Sequence, residues 1–390
     1  MELQPFQKRT WAEIDLDAAI HNFNIIKERL MQGTKICCVV KANGYGHGAV
    51  QLSKLYEQLG ADYLAVSNIE EGLQIRKAGV QLPILILGYT DPRCADQLAK
   101  NNISQCVFSY EYGKELSENA IRCCTNVKIH IKIDTGMGRI GFKCEQASWD
   151  KIVKVCNLMG LYCEGIFTHF AVADEGDNGR AYTESQFDKF MSSIEYLKSQ
   201  GISFELRHCA NSAGIFDYPN MHLDMVRAGI VLYGLQPSGV LHNPGELHPV
   251  MTLKTIIDYI KDVHAGDCIS YGGEFQAEHD MKVATIPVGY ADGLWRSNYR
   301  NHMSIEVEGV YTTLLGRVCM DQCMIDVSSI PDASINSVVT LYGKNGANSI
   351  DCIAEDNNTI NYEIVCALGE RVPRVYKEKG YTVEIADNLI

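Results

Sequence analysis

Proline is scarce in this chain, ten residues in 390, and no tract is dominated by a few residue types, so neither a disordered nor a fibrous class fits. Long hydrophobic runs are missing too. No apolar stretch approaches the roughly 18 residues that span a bilayer, and the opening MELQPFQKRTWAEIDL lacks the apolar centre of a secretory leader. A cytoplasmic protein is expected. Positive charge is in short supply: 35 Lys and Arg stand against 48 Asp and Glu, a net charge of −13 that argues against nucleic acid or an anionic membrane as partner. The fifteen cysteines contain no CxxC repeat of zinc or redox type. They are scattered through apolar segments, as buried reduced thiols would be, and no metal site is expected.

Three hundred and ninety residues are too many for one ordinary core, so two domains are expected. The most informative stretch is VVKANGYGHG, Val39 to Gly48. Its apolar lead-in from Ile36 to Val40 reads as a short buried strand that delivers Lys41 at its C-terminal end, before three glycines turn the chain into a helix. That is where parallel α/β sheets keep their chemistry. An amphipathic helix with Leu16, Ile20, Phe23, Ile26 and Leu30 on one face precedes it. After it come YLAVS, PILILG, QCVFS, VKIHIKI, CEGIFTH, FELRHCA and MVRAGIVLYG, each separated from the next by a helical stretch. Eight βα units in one run is the count of a TIM-type (β/α)8 barrel, although counting leaves an open doubly wound sheet possible. Beyond Gly234 the Pro-, Gly- and His-containing PSGVLHNPGELHP reads as a connection, followed by short alternating runs with helical pattern only near Ile350 to Leu368. The expected division is a barrel over residues 1–240 and a mainly β domain over 241–390.

In a barrel the C-terminal strand ends converge on one rim, whatever their separation in sequence. The fifth strand brings Lys128, His130 and Lys132, with Arg139 in the Gly-rich turn that follows; on residue types alone this is a lysine pair in the barrel interior neutralised by Asp134. The sixth ends at His169. The seventh ends at His208 and Ser212, and the eighth carries Arg227, Gly229 and Ile230. The loops after strands seven and eight commonly hold phosphate in such barrels.

The Lys41 stretch resembles the cofactor-lysine motif of the alanine racemase family, whose members usually have Ala where this chain has Gly44. SYGGEF around Tyr271, GYADG from Gly289 to Gly293, GRVCMDQ from Gly316 to Gln322 and INYE around Tyr362 match further motifs of that family, in order and over essentially the whole chain. The resemblance implies an isomerase that interconverts L- and D-alanine with pyridoxal 5′-phosphate, supplying D-alanine for peptidoglycan. By resemblance Lys41 forms the Schiff base with the cofactor; Tyr45, Ser212, Gly229, Ile230 and Tyr362 hold its phosphate; His208 lies under its ring; and Arg227 meets the ring nitrogen. Arg139 contacts the ring oxygen and the substrate, and Lys132 is often carbamylated so as to orient that arginine. Racemisation also needs a second acid/base on the opposite face, and Tyr271 matches it. An ordinary tyrosine is a weak base at neutral pH, and in the family His169, backed by Arg227, supplies the cationic neighbourhood it needs. Tyr290, Met320 and Asp321 are implied at the substrate entrance, with the Met320 N–H on the substrate carboxylate. The family forms head-to-tail homodimers in which each active site is shared.

Alternatives stay open at this level. A serine or broad-specificity racemase of the same family differs only in small pocket details. Decarboxylases on the same two-domain plan carry an acidic residue where Arg227 stands, and the non-catalytic cofactor-binding relatives lack the β domain.

Overall fold

In the computed structural model, which describes residues 8–343, 345–387 and 389, the expected barrel strands run Lys35–Val39, Tyr63–Val66, Ile84–Ile86, Ile103–Val107, Val127–Asp134, Leu161–Phe167, Leu206–His208 and Met225–Ala228. The stretch searched for a leader begins outside the described residues. The strands pair in parallel and in chain order, and the eighth returns to lie beside the first, Met225 opposite Lys35 and Ala228 opposite Cys38. Between the seventh and eighth, Asp224 N donates to Arg207 O at 3.1 Å and Arg227 N to Ala210 O at 3.0 Å, so the ring closes. The open-sheet alternative falls with that closure. Helices cover the outer faces of the strands and side chains pack together inside the ring, which is why segments such as Ile84–Ile86 are buried throughout and read as unbroken apolar runs.

One expected boundary shifts for a visible reason. The eighth strand stops at Ala228 because Gly229, at φ −110° and ψ −109°, leaves the extended region, and Ile230–Tyr233 follows as a 3-10 turn. The helix after the sixth strand is a long one, Gly176–Ser199.

The remaining strands build a seven-stranded sheet in the order Val310–Thr313, Ser304–Val307, Val338–Tyr342, Met251–Ile256, Thr10–Asp15, Arg374–Glu378, Tyr381–Ala386. Alternation shapes it: Met251, Leu253 and Thr255 are buried while their neighbours are not. Thr10–Asp15 is the unexpected member. It runs antiparallel to Met251–Ile256 and parallel to Arg374–Glu378, so the first described strand lies in the sheet built mostly by the last third of the chain. A three-stranded sheet of Tyr259–Val263, Met281–Ile286 and Cys323–Asp326 adjoins it, with a two-stranded ribbon, Cys268–Ile269 and Phe275–Gln276. One continuous apolar core joins the barrel to the large sheet. Among the described residues, no helix is long and apolar enough to cross a membrane.

Candidate active site

Lys41 leaves the first barrel strand into a turn of the wrong hand. Ala42, Asn43, Gly44 and Tyr45 have φ of 52°, 51°, 60° and 50°, a single left-handed turn closed by Gly44 N to Val40 O and Gly46 N to Ala42 O, both 2.9 Å. Left-handed helical backbone costs an L-residue about 1–2 kcal/mol, so only Gly44 adopts it freely. The surroundings hold the rest in place. Glu71 accepts the Ala42 N–H at 2.8 Å, Asn43 Oδ1 accepts the Ala49 N–H at 3.0 Å, and Tyr233 Oη donates to Val39 O at 2.9 Å. From the large sheet, Arg374 Nε donates to Gly46 O at 2.9 Å and Tyr376 Oη to His47 O at 3.0 Å. The Val365 carbonyl can approach because residue 46 has no side chain: a Cβ there would lie 2.1 Å from Val365 O.

The turn aims Lys41 into a cavity of about 910 Å³ at the C-terminal rim of the barrel. Tyr45, Lys132, Arg139, His169, Ser212, Arg227, Gly229, Ile230 and Tyr362 line the same cavity. Four cations therefore face two carboxylates, Asp174 and Glu363, an imbalance that suits an anionic ligand. Burial, and then the charge of Arg139, lowers the pKa of Lys41. Burial pushes Lys132 further, down to about 8, with Arg227 and Arg139 adding to the effect. His169 is held well below the usual histidine range by burial and by Arg227.

One end of the cavity is shaped as a cradle. Gly229 N donates to Ser212 Oγ at 3.0 Å, and a Cβ on Gly229 would stand 3.1 Å from Tyr45 Oη and 3.3 Å from Ser212 Oγ. Two hydroxyls thus converge on a space that any side chain at 229 would fill. The Tyr45 ring is fixed between Tyr233, 4.8 Å away, and Tyr362, 6.0 Å away.

Arg227 crosses the floor. It donates to Thr168 O at 2.8 Å, Cys209 O at 3.1 Å and His208 Nδ1 at 2.9 Å, and meets His169 Nδ1 at 3.2 Å. Burial presses its pKa down to about 10, which leaves it charged at neutral pH. His208 does not line the cavity; it lies one layer below, stacked on Phe167 with centroids 4.9 Å apart. The supposed lysine pair of the fifth strand is not one. Lys132 is buried and donates to Ile133 O at 2.7 Å, whereas Lys128 is half-exposed and pairs with Glu164 at 3.0 Å. Asp134 instead accepts the Gly136 and Gly138 N–H groups, at 3.1 and 3.0 Å, and shapes the turn toward Arg139.

Tyr271, Tyr290, Met320 and Asp321 stand apart from this cavity. Tyr271 opens a 3-10 turn at the tip of the short ribbon rather than sitting in a strand, and it is 64% exposed. The ribbon is tied to the GRVCMDQ loop by Ser270 Oγ donating to Arg317 O at 2.6 Å, with Ser270 itself at φ 67°. Tyr290 N donates to Cys319 O at 3.1 Å, and a Cβ on Gly289 would fall 2.3 Å from Met320 O, so the GYADG turn and the loop can pack this closely only with glycine there. Arg371 joins Asp292 to Asp321, both at 2.8 Å. These four residues form one exposed cluster on the β part of the protein.

Phe167, Asp174 and Cys366 also line the cavity, and sequence reasoning passed over them. Two carried a signal: Phe167 precedes His169 by one strand period, and Cys366 follows Tyr362 by one helical turn in Asn361–Cys366. Asp174 gave none.

Comparison with known proteins bears on the whole chain. Residues 14–237 match the family described as alanine racemase, N-terminal domain, and residues 250–376 match alanine racemase, C-terminal domain. An alanine racemase of Clostridium tetani is 46% identical over 381 residues, 96% of this chain and 97% of the relative. Among solved structures, alanine racemase of Clostridium difficile superposes with a TM-score of 0.95 at 40% identity, covering 99% of this chain and 100% of the other. That of Bacillus anthracis, solved with bound L-Ala-P, gives 0.93 at 36% identity, covering 99% of each. The closed barrel with its cationic cavity and the full-length identity lead to one conclusion: this chain belongs to the alanine racemase family.

Proposed function

We propose that the cavity holds pyridoxal 5′-phosphate and that the protein racemises alanine, interconverting the L- and D-forms. The observation that carries this is Lys41, a lysine of lowered pKa aimed into a cation-rich cavity with a Gly229 cradle at one end. The fit to a phosphorylated cofactor is good: Tyr45 and Ser212 hydroxyls and the backbone at Gly229 and Ile230 suit the phosphate, with Tyr362 closing over it. The family membership and the L-Ala-P bound by the Bacillus anthracis relative support the same assignment. When bound, the cofactor acts as the electron sink that makes the substrate's α-proton acidic. Arg227 tempers that sink, since a guanidinium at the ring nitrogen keeps its own proton, which favours prompt return of the substrate proton.

In this reading Lys41 Nζ takes or returns the α-proton on one face, and Tyr271 Oη does so on the other. Tyr271 is exposed in a single chain, so the second face is served by Tyr271 of the partner subunit in a head-to-tail homodimer, with His169 beside it. Tyr290, Met320 and Asp321 of the same cluster border the entrance. Arg139 orients the substrate, and Lys132, whose amine is uncharged at lower pH than an ordinary lysine, is suited to carbamylation. The division at residue 240 belongs to this proposal, with Thr10–Asp15 tying the barrel to the β domain. A cytoplasmic location suits the fifteen free thiols.

The test is direct. Purified protein should show an absorbance band near the visible edge that borohydride abolishes, and should remove the optical rotation of L-alanine. Lys41→Ala should lose the band and nearly all racemisation in both directions. A variant that keeps both would sink the assignment.

A further inference from the structure

Behind Arg227 the polar contacts continue away from the cavity. Arg227 Nη1 donates to His208 Nδ1 at 2.9 Å, and a guanidinium has no lone pair to offer in return. His208 therefore carries its proton on Nε2, which faces His130 Nδ1 at 2.9 Å. His130 in turn holds its proton on Nε2 and donates it to Glu164 Oε2 at 3.1 Å. Every proton in this chain is set by the two ends, a cation that only donates and a carboxylate that only accepts. Burial lowers the pKa of both histidines, so they stay neutral.

The sixth barrel strand is built around this contact. Its register slips against the fifth, with Cys163 opposite Ile129 but Gly165 opposite His130, so Glu164 is an extra, bulged residue. A bulge gives up regular pairing to re-aim a side chain. Gly165 completes the seat, because a Cβ there would lie 2.5 Å from His130 Nδ1. Burial raises the pKa of Glu164, but donation from His130 and Tyr63 more than offsets this and holds the carboxyl well below the usual range. Tyr63 and Ser104 bring their hydroxyls to the same oxygen at 2.6 and 2.9 Å. Stability does not ask for such a network, since apolar residues of similar volume commonly do as well as buried charges.

We propose that Glu164 and His130 are positioning residues for racemisation: acting through His208, they fix the direction in which Arg227 presents its guanidinium to the cavity. This rests on Arg227 as the partner of the cofactor's ring nitrogen. With the opposite tautomer, His208 would turn an N–H toward the Arg227 N–H, and the guanidinium would lose that anchor. Displacement of a positioned group by about 1 Å costs about 10²-fold in rate.

Nitrogen-15 NMR of histidine-labelled protein, with and without cofactor, reads the tautomers without turnover. His208 and His130 should both appear as neutral Nε2–H rings from about pH 6 to about pH 8, where an ordinary histidine titrates. Glu164→Leu should release the His208 tautomer and lower kcat about 10²-fold with a much smaller change in KM. Glu164→Gln, which still accepts from His130, should restore most of both. A wild-type His208 protonated on Nδ1 overturns the proposal whether or not any variant folds, as does a folded Glu164→Leu protein with kcat within about twofold of wild type. Racemisation retained by Lys41→Ala would overturn the reading of the site instead, and the two failures are distinguishable because the tautomers are observed independently of activity.

Discussion

Ser212 Oγ accepts the Gly229 N–H at 3.0 Å, and this one bond ties the loop after the seventh barrel strand to the loop after the eighth. Gly229→Ala would press a methyl group toward Tyr45 Oη and Ser212 Oγ, at 3.1 and 3.3 Å. Cofactor affinity should fall about 10–100-fold, the worth of one charge-assisted hydrogen bond, when cofactor-free protein is titrated with pyridoxal phosphate and followed by absorbance. An affinity within twofold of wild type would count against the cradle.

Gly44 stands at φ 60° in the left-handed turn beside Lys41. Gly44→Ala should destabilise the protein by about 1 kcal/mol in urea unfolding, from backbone strain and from a Cβ lying 3.2 Å from Ala49 N. An unchanged or raised midpoint would show that the turn relaxes around the methyl group.

Lys132 supplies a pH signature. Its folded pKa, about 8, lies below the ordinary 10.5, so between these values the folded protein binds fewer protons than the unfolded chain and stability rises with pH. Below about 8 the group is charged in both states and contributes no slope. In carbonate-free buffer, the difference in unfolding free energy between wild type and Lys132→Met should shift in favour of wild type from about pH 8 upward, by at most on the order of 3 kcal/mol. Parallel curves would mean that the amine is not buried as a cation.

Division of labour between the two faces can be read with isotopes. If Lys41 serves D-alanine and Tyr271 serves L-alanine, Tyr271→Phe should take solvent deuterium into D-alanine far better than into L-alanine, since a positioned acid/base contributes about 10²–10⁴-fold. Equal residual exchange into both enantiomers would reject the assignment.

Shared sites predict complementation. Lys41→Ala and Tyr271→Ala proteins should each be nearly inactive, yet a mixed dimer would have one doubly defective site and one intact site. Random pairing makes about half the dimers mixed, so co-expression should return about a quarter of full activity. Mixed dimers that form without regaining activity would place both residues in one chain.

The barrel was legible because its strands are short apolar runs alternating with helical periodicity, and because Lys41, Ser212 and Arg227 fall at strand ends that closure brings together. Thr10–Asp15 was not legible as a member of the large sheet, since its partners lie more than two hundred residues away and pairing over that distance leaves no local pattern. Nor could spacing show that Lys128 pairs with Glu164 across a bulge, because a bulge breaks the period-two rule on which facing is judged. Tyr271 was found by motif alone: nothing in the alternation around it distinguishes a turn at a ribbon tip from a strand.

The left-handed turn at Lys41 also bears on how the protein comes to fold. Its conformation has no local preference in its favour, and part of its support, the Arg374 bond to Gly46, spans 328 residues. Contacts of such separation carry a loop-closure cost in entropy, and during synthesis they wait for the later partner to be made. During synthesis the barrel strands can therefore pair while the lysine's turn still lacks this tie, and the turn becomes fully braced only when Arg374–Glu378 docks beside Thr10–Asp15. A chain stalled before residue 374 would hold most of the barrel without the clamp on the Lys41 turn, so if the proposed cofactor site is right, tight cofactor binding should arrive late and together with the completed sheet.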